Sequence, residues 1–343
     1  MKAAVFREFG PPNVLKLEDV PAPEAGRGNV VIKILAAGIN RLEHFIRNGD
    51  ITRDLKLPHV LGSDAAGEIA AIGAGVTGFE IGERVVPMPG YPLDPKHADF
   101  APMSAAPSYA IGGIVQWGTY AQYIEIPAGW VLKDDTGLSA PEMATLPMVL
   151  VTGVRAVRTV GQVKSGDRVL VHAGASGTGS MNIQIAKALG AVVATTVDSD
   201  DKAAFAGKVG ADLVIDVRKT NFVEAVRDWT GGNGVDVVID NLGGDVLQGS
   251  IDAARVGGTI VTMGFVVGND ATIKVREFFF AHKTLRGTLM GDVEDFRWGL
   301  AQVKQRRIKP LLDRAFPLGR AASAHDAVAR NAVAGNVVLL PWE

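Results

Sequence analysis

VLVHAGASGTGSMNIQIAKALGA, residues 169–191, decides the fold. Its opening run VLVHA is apolar without strict alternation, the pattern of a strand covered on both faces. A glycine-rich turn follows and opens directly into an amphipathic helix, and that context gives a weak glycine pattern its meaning. Gly174, Gly177 and Gly179 let the backbone turn sharply and approach a pyrophosphate, whose charge meets free N–H groups and the helix dipole. The spacing is G-x-x-G-x-G, with Ser176 where the commonest fingerprint has its middle glycine. Ser176 or Thr178 could add a hydroxyl donor. The expected cofactor loop is therefore Gly174, Ala175, Ser176, Gly177, Thr178 and Gly179. A tight turn without a ligand is the weaker reading of a strand–turn–helix.

Outward from this loop, helix and strand alternate from about Ser139. SAPEMATLPMVLVTGVRAVRTV reads as a helical stretch interrupted at Pro147. The segments AVVATTV, DLVID, VDVVID and TIVTMGF read as strands, with helices between them, including GDVLQGSIDAARVGG. Gly190, Gly210 and Gly257 stand where helices close on a left-handed cap. The pattern predicts a doubly wound α/β unit around a parallel sheet. Asn241 and Gly243 after VDVVID, and Gly264 with Phe265 after TIVTM, fall at strand ends on the ligand-binding edge.

The first third is instead β-rich, with short runs such as NVVIKILAAGI and YAQYIEIP between Gly, Pro and Asp. Residues 88–116 lack sustained periodicity and read either as a lid or as a partly ordered surface excursion. From Gly291 come a helix (EDFRWGLAQVKQRR), the extended DRAFPL, a helix over AASAHDAVARNAVAG and a strand NVVLLPW. The simplest packing returns this tail to the first domain. The expected domains are thus 1–136 with 289–343, and 137–288 inserted between them.

The 343 residues suffice for two cores, and the 47% hydrophobic and 21% charged residues are those of a globular chain. A formal charge of −2 leaves no footprint for nucleic acid or an anionic membrane. No apolar run approaches spanning length and no leader pattern is visible, so a cytoplasmic location is expected. With no cysteine, disulfides and thiolate zinc sites are excluded. Six scattered histidines give no ligand spacing, so no metal is expected.

Together, GAGVTGFEIGERVV (73–86), LGSDAAGEI (61–69), the glycine loop and a C-terminal PL…AHDA…G-N-VVL resemble the medium-chain dehydrogenase/reductase superfamily. The resemblance spans the whole chain. It implies a GroES-like β-rich catalytic domain formed by both chain ends, a Rossmann domain inserted in it, and hydride transfer from a nicotinamide cofactor in the cleft. Zinc members place a catalytic Cys at Asn40, a His at Ser63 and a third thiolate near Met148. None of these substitutes rebuilds that zinc site. The chain is similar to the zinc-free quinone oxidoreductase branch, whose segment reads G-x-N-x-x-D-x-Y-x-R-x-G. Here it is Gly38, Asn40, Glu43, Phe45, Arg47 and Gly49.

That likeness makes Asn40, Glu43 and Thr152 the catalytic candidates, and Phe45 and Arg47 substrate-pocket candidates. Glu43 with Arg47 as a surface ion pair at i,i+4 spacing is the plainer alternative. Phe45 replaces a tyrosine and has no proton to give, leaving water, a ribose hydroxyl, Asn40 or His44 as donors. At the adenosine ribose, the register places Val197 at the binding position, with Ser199, Lys202 and Arg218 as donors to a 2′-phosphate. Asn336 stands where a basic residue is frequent, and Asp198 would repel a phosphate. The reading is NADPH, with NADH possible.

The expected activity is zinc-independent, NADPH-dependent reduction of a quinone or other α,β-unsaturated carbonyl. The alternatives are an enoyl-thioester reductase, an alcohol dehydrogenase, or a non-catalytic NADPH-binding protein of crystallin or sensor type. TIVTMGF with EFFFAHKTLRGTLMG resembles the sheet edge through which such reductases dimerise, so a homodimer or homotetramer is expected. Burial of the FFF run within one chain is the alternative.

Overall fold

The computed structural model describes residues 1–330 and 333–343. The chain forms two compact units, residues 1–148 with 310–343, and residues 149–309. These boundaries lie later than the 136/137 and 288/289 divisions expected from sequence. The helix Ala140–Ala144 packs in the first unit, where a Cβ on Gly38 would lie 2.2 Å from the Ala144 carbonyl. Gly291 and Gly299 pack in the second, against Val151 and Leu150.

In the first unit, Asn29–Ile39 is the central strand of a seven-stranded sheet, and its apolar residues are almost all buried. Asp64–Ile72 pairs antiparallel along it, with register shifts between Val31/Ile32 and Ile34/Ala36. The C-terminal strand Asn336–Leu340 pairs on its other side, so segments from before and after the second unit build one sheet. Gly38 lies opposite both Asp64 and Val338. It must be glycine, because a Cβ would also stand 2.9 Å from the Asp64 Cβ.

Residues 88–116 are built around a two-stranded sheet, Gly90–Pro92 with Tyr109–Ile111. Met88, Tyr91, Met103 and Ala106 are buried there, and Tyr91 stacks on Trp130. The segment therefore carries its own small core, unlike the expected partly ordered surface excursion, because its apolar residues meet around a hairpin. Of the expected helix over 321–335, Ala321–Ala329 is helical, and residues 331 and 332 lie outside the described residues.

The second unit is a six-stranded, all-parallel sheet. Its order is Leu213–Asp216, Val192–Val197, Arg168–Val171, Val235–Asp240, Ala254–Thr262, Thr284–Gly287. Leu170, Ala194, Val238 and Ile260 form its centre, closed by Ile251 and Val226. Three local expectations change. The helix expected through Gly257 ends at Ala253, and Gly257 lies inside the strand Ala254–Thr262, which pairs with Val235–Asp240. TIVTM is an inner strand, and Thr284–Gly287 is the edge. After Pro147–Val154 the chain widens into a π-helix, Arg155–Val160. Among the described residues no helix is long and apolar enough to cross a membrane.

Candidate active site

The first unit gathers a polar cluster where Asn29–Ile39 ends. Asn40 caps the helix Arg41–Asn48 in a capping box: its side chain takes the third-position N–H, and Glu43 Oε2 accepts from the Asn40 N–H at 2.8 Å. Glu43 Oε1 accepts from the Ser63 amide at 3.2 Å and the Ser63 hydroxyl at 2.9 Å. Asn40 Nδ2 donates to Asp64 Oδ2 at 3.0 Å and lies 3.3 Å from Ser63 Oγ. The Met148 amide donates to Asp64 Oδ1 at 2.9 Å. Glu43, Ser63 and Asp64 are buried, and neither carboxyl is ion-paired among the described residues.

Burial disfavours both charges. It pushes the Glu43 carboxyl up to about 7, against the opposing pull of its hydrogen bonds. Asp64 rises to about 8, again chiefly by burial, with a further push from Glu43. Asn40 and Glu43 thus belong to one site, but as mutually bonded groups. The surface ion pair of Glu43 with Arg47 is absent, since Arg47 turns to other partners.

Arg47 is fully buried, 0% exposed. Its Nε donates to the Gly10 carbonyl (2.9 Å), Nη1 to His325 Nδ1 (2.9 Å), and Nη2 to His44 Nδ1 (3.2 Å) and Asn48 Oδ1 (2.7 Å). A guanidinium only donates, so both imidazoles accept through Nδ1. His325 then carries its hydrogen on Nε2, 3.2 Å from the Tyr120 hydroxyl. Burial, with Arg47 and His44 nearby, lowers His325 to about 3 and keeps it neutral. Arg47, expected at a substrate pocket, is instead an internal clamp: its long side chain reaches backward into the unit. Phe45 is half-buried, edge-on to His44.

In the second unit the glycine loop has the expected build. A Cβ on Gly174 would lie 2.2 Å from Thr195 Oγ1, and one on Gly179 2.1 Å from the Ala173 carbonyl. Ser176 caps Gly177–Ala188, its Oγ accepting from the Gly179 amide at 3.0 Å. Gly177 and Thr178 supply the remaining first-turn N–H groups, which a helix cannot satisfy itself. Asn241, Gly243 and Gly264 meet: a Cβ on Gly243 would lie 2.5 Å from the Gly264 carbonyl, and one on Gly264 2.3 Å from the Asn241 carbonyl. The Asn241 Oδ1 atom is buried without a hydrogen-bond partner. A crowded glycine turn at a helix N-terminus, with an orphaned amide oxygen at a neighbouring strand end, fits a dinucleotide. Phe265 is exposed beside Gly243. Thr152 is half-buried, its hydroxyl 3.6 Å from Met290 Sδ.

The cations expected near a 2′-phosphate are engaged in ion pairs. Lys202 Nζ lies 2.7 Å from Asp198, and Arg218 bridges Asp216 (2.5 Å) and Asp200 (3.1 Å). Ser199 caps Asp200–Val209. Asn336 belongs to the first unit, where it opens the last strand and its amide is held by the Leu311 carbonyl.

Sequence reasoning missed Ser63 and Asp64 as members of the cluster, and Tyr120 and His325 behind it. The pattern LGSDAAGEI carried Ser63 and Asp64, but nothing local in it reveals a partner twenty residues away. Among the described residues no group of three or more His, Asp or Glu could hold a metal ion. The donor set agrees, since Asn40 and Ser63 offer an amide and a hydroxyl bonded to carboxyls.

A family model described as alcohol dehydrogenase GroES-like domain matches residues 26–140, and one described as zinc-binding dehydrogenase matches 177–305. The 2-haloacrylate reductase of Burkholderia sp. is 32% identical, over 99% of this chain and 98% of its own length. The quinone oxidoreductase of Rattus norvegicus is 29% identical, over 99% and 98%. A solved structure of an NAD-dependent alcohol dehydrogenase superposes with a TM-score of 0.93 at 34% identity, covering 99% of both chains. With a GroES-like unit built from both ends and a parallel Rossmann sheet between them, the chain is an oxidoreductase of the medium-chain dehydrogenase/reductase superfamily.

Proposed function

We propose that this oxidoreductase reduces a quinone or another α,β-unsaturated carbonyl compound, without zinc. The observation that carries the reading is the Asn40–Glu43–Ser63–Asp64 cluster, in which carboxyls, an amide and a hydroxyl are bonded to one another where zinc members hold a metal. A conjugated acceptor suits such a wall. It takes hydride at carbon and spreads the charge onto oxygen, so hydrogen-bond donors and a proton source suffice. A bound nicotinamide dinucleotide supplies the hydride. Gly174 to Gly179 bind its pyrophosphate, Asn241 accepts a hydrogen bond, and Thr152 lines the nicotinamide. Relatives named 2-haloacrylate reductase and quinone oxidoreductase support this class of acceptor. Alcohol oxidation is the second reading, favoured by the name of the 34% identical structure.

For the cofactor the reading is NADPH, with Lys202 and Arg218 turned onto the 2′-phosphate. That requires Lys202 to leave Asp198, and the existing ion pair favours NADH as the second possibility. Phe279 and Phe280, 58% and 66% exposed beside the edge strand Thr284–Gly287, support a homodimer formed there by a second copy. The test follows oxidation of NADPH and NADH with quinones, enones, 2-haloacrylate and aldehydes, with and without a chelator. Turnover of conjugated acceptors, indifferent to chelator, is expected. Alcohol oxidation alone overturns the reading, and tight cofactor binding with no turnover makes the chain a binding protein.

A further inference from the structure

We propose that Ser63 and Glu43 form the proton-delivering couple of this reductase: the Ser63 hydroxyl protonates the reduced substrate and the Glu43 carboxyl refills it. The inference rests on the reductase reading above and supplies the proton that Phe45 cannot. The other side chains nearby offer no acid. The His44 and His325 Nδ1 atoms accept from Arg47, so both rings are neutral and hold no imidazolium proton, and the Tyr120 hydroxyl is enclosed beside His325. Asn40 donates to Asp64 and has no acid to release.

The couple has the right geometry in both protonation states. Ser63 Oγ and Glu43 Oε1 are 2.9 Å apart, a separation at which either oxygen can carry the shared hydrogen. With Glu43 ionised, Ser63 donates to it and its hydrogen is held. With Glu43 protonated, the carboxyl donates to Ser63, Asn40 Nδ2 fills the second lone pair from 3.3 Å, and the serine hydrogen is released outward. Ser63 retains 3% of its surface, and half-buried Asn40 stands beside it.

Among the described residues, Asp64 on the neighbouring strand and the Tyr120 hydroxyl feel the Glu43 charge. Arg47 also acts on Tyr120, and it is bonded to His44 on its own helix and to His325 on the helix Ala321–Ala329. Burial and the absence of a bonded cation keep Glu43 partly protonated at neutral pH.

The step balances. Hydride forms the new C–H bond at the β-carbon, the dinucleotide is oxidised by two electrons, and an enolate results. The Ser63 O–H bond breaks as its proton goes to the enolate, and the Glu43 proton moves to Ser63 Oγ. Glu43 is left as a carboxylate, which solvent reprotonates.

Two measurements test it. First, infrared spectra of the cofactor-free protein against pH: wild type carries a protonated-carboxyl C=O band that bleaches around pH 7, and E43Q lacks that component while D64N retains it. Second, turnover: S63A lowers kcat by about a hundredfold with little change in KM. S63T restores most of it, and E43Q removes the alkaline fall of the wild-type pH profile. The couple is overturned if no band is lost in E43Q, or if S63A keeps wild-type kcat and pH profile. If the band titrates as expected but no conjugated acceptor is reduced by wild type, the reductase reading fails instead, and the couple's catalytic role with it.

Discussion

Beside the strand Val192–Val197, Asp198, Asp200 and Asp216 share the surface with Lys202, Arg218 and Lys219. Within the first unit, Glu43 and Asp64 share an interior with an amide, a hydroxyl and backbone N–H groups, with no ion pair among the described residues. The two clusters titrate in opposite directions. Hydrogen bonds from Arg218 and Lys219 hold Asp216 and Asp200 below the ordinary carboxylate range, whereas burial drives Glu43 and Asp64 toward neutrality. Hydrogen-bond number does not separate them, since both sets are well bonded. Dielectric surroundings and the sign of the neighbours do.

If interior polar groups hold this fold and surface ones do not, Arg47→Met carries the largest cost. It strands the Gly10 carbonyl and the His325 acceptor. A loss of about 3 kcal/mol is expected from urea unfolding, the usual penalty for buried unsatisfied groups. A loss below about 1 kcal/mol would mean that the interior network relaxes freely.

Asp64→Asn sharpens the contrast through pH. The folded Asp64 value of about 8 lies above the ordinary 3.8, so its contribution to stability is full below the ordinary value and is lost as pH rises through 8. The Asn variant should lose less stability over that window and gain on wild type by about 2 kcal/mol at pH 9, discounted from the full shift. Parallel stability profiles would contradict the elevated carboxyl. Lys202→Ala gives the smallest effect. It should leave the melting temperature unchanged and shift relative affinity from NADPH toward NADH by about tenfold, measured by fluorescence titration. An unchanged ratio removes Lys202 from any 2′-phosphate site.

The glycine loop was legible because most of its determinants are local: Gly179 and the caps at Ser176 and Ser199 act within a few residues of themselves, although the room that Gly174 must leave is set by Thr195 on the adjoining strand. Helix ends near Gly257 were not, because pairing of Ala254–Thr262 with Val235–Asp240 overrides the local signal. In the first unit the GINRLEHFIRNGD stretch announced polar chemistry without showing its direction. Whether Glu43 faces solvent or Ser63, and whether Arg47 meets Glu43 or His325, depends on contacts spanning 20 and 278 residues. The 88–116 segment hid its core for the same reason, since Tyr91 stacks on Trp130, which lies beyond the segment in the chain.

The enclosed Arg47 has one further effect. Its charge is permanent, because a guanidinium does not deprotonate at any pH the protein survives. Below neutrality Glu43 and Asp64 are mostly uncharged, and the interior of the first unit is net positive. Once both have ionised, above about pH 8, the same interior is net negative. The unit thus reverses the sign of its internal charge between about pH 7 and 8, and the sealed Tyr120 hydroxyl, which responds to all three groups, is where that reversal is felt.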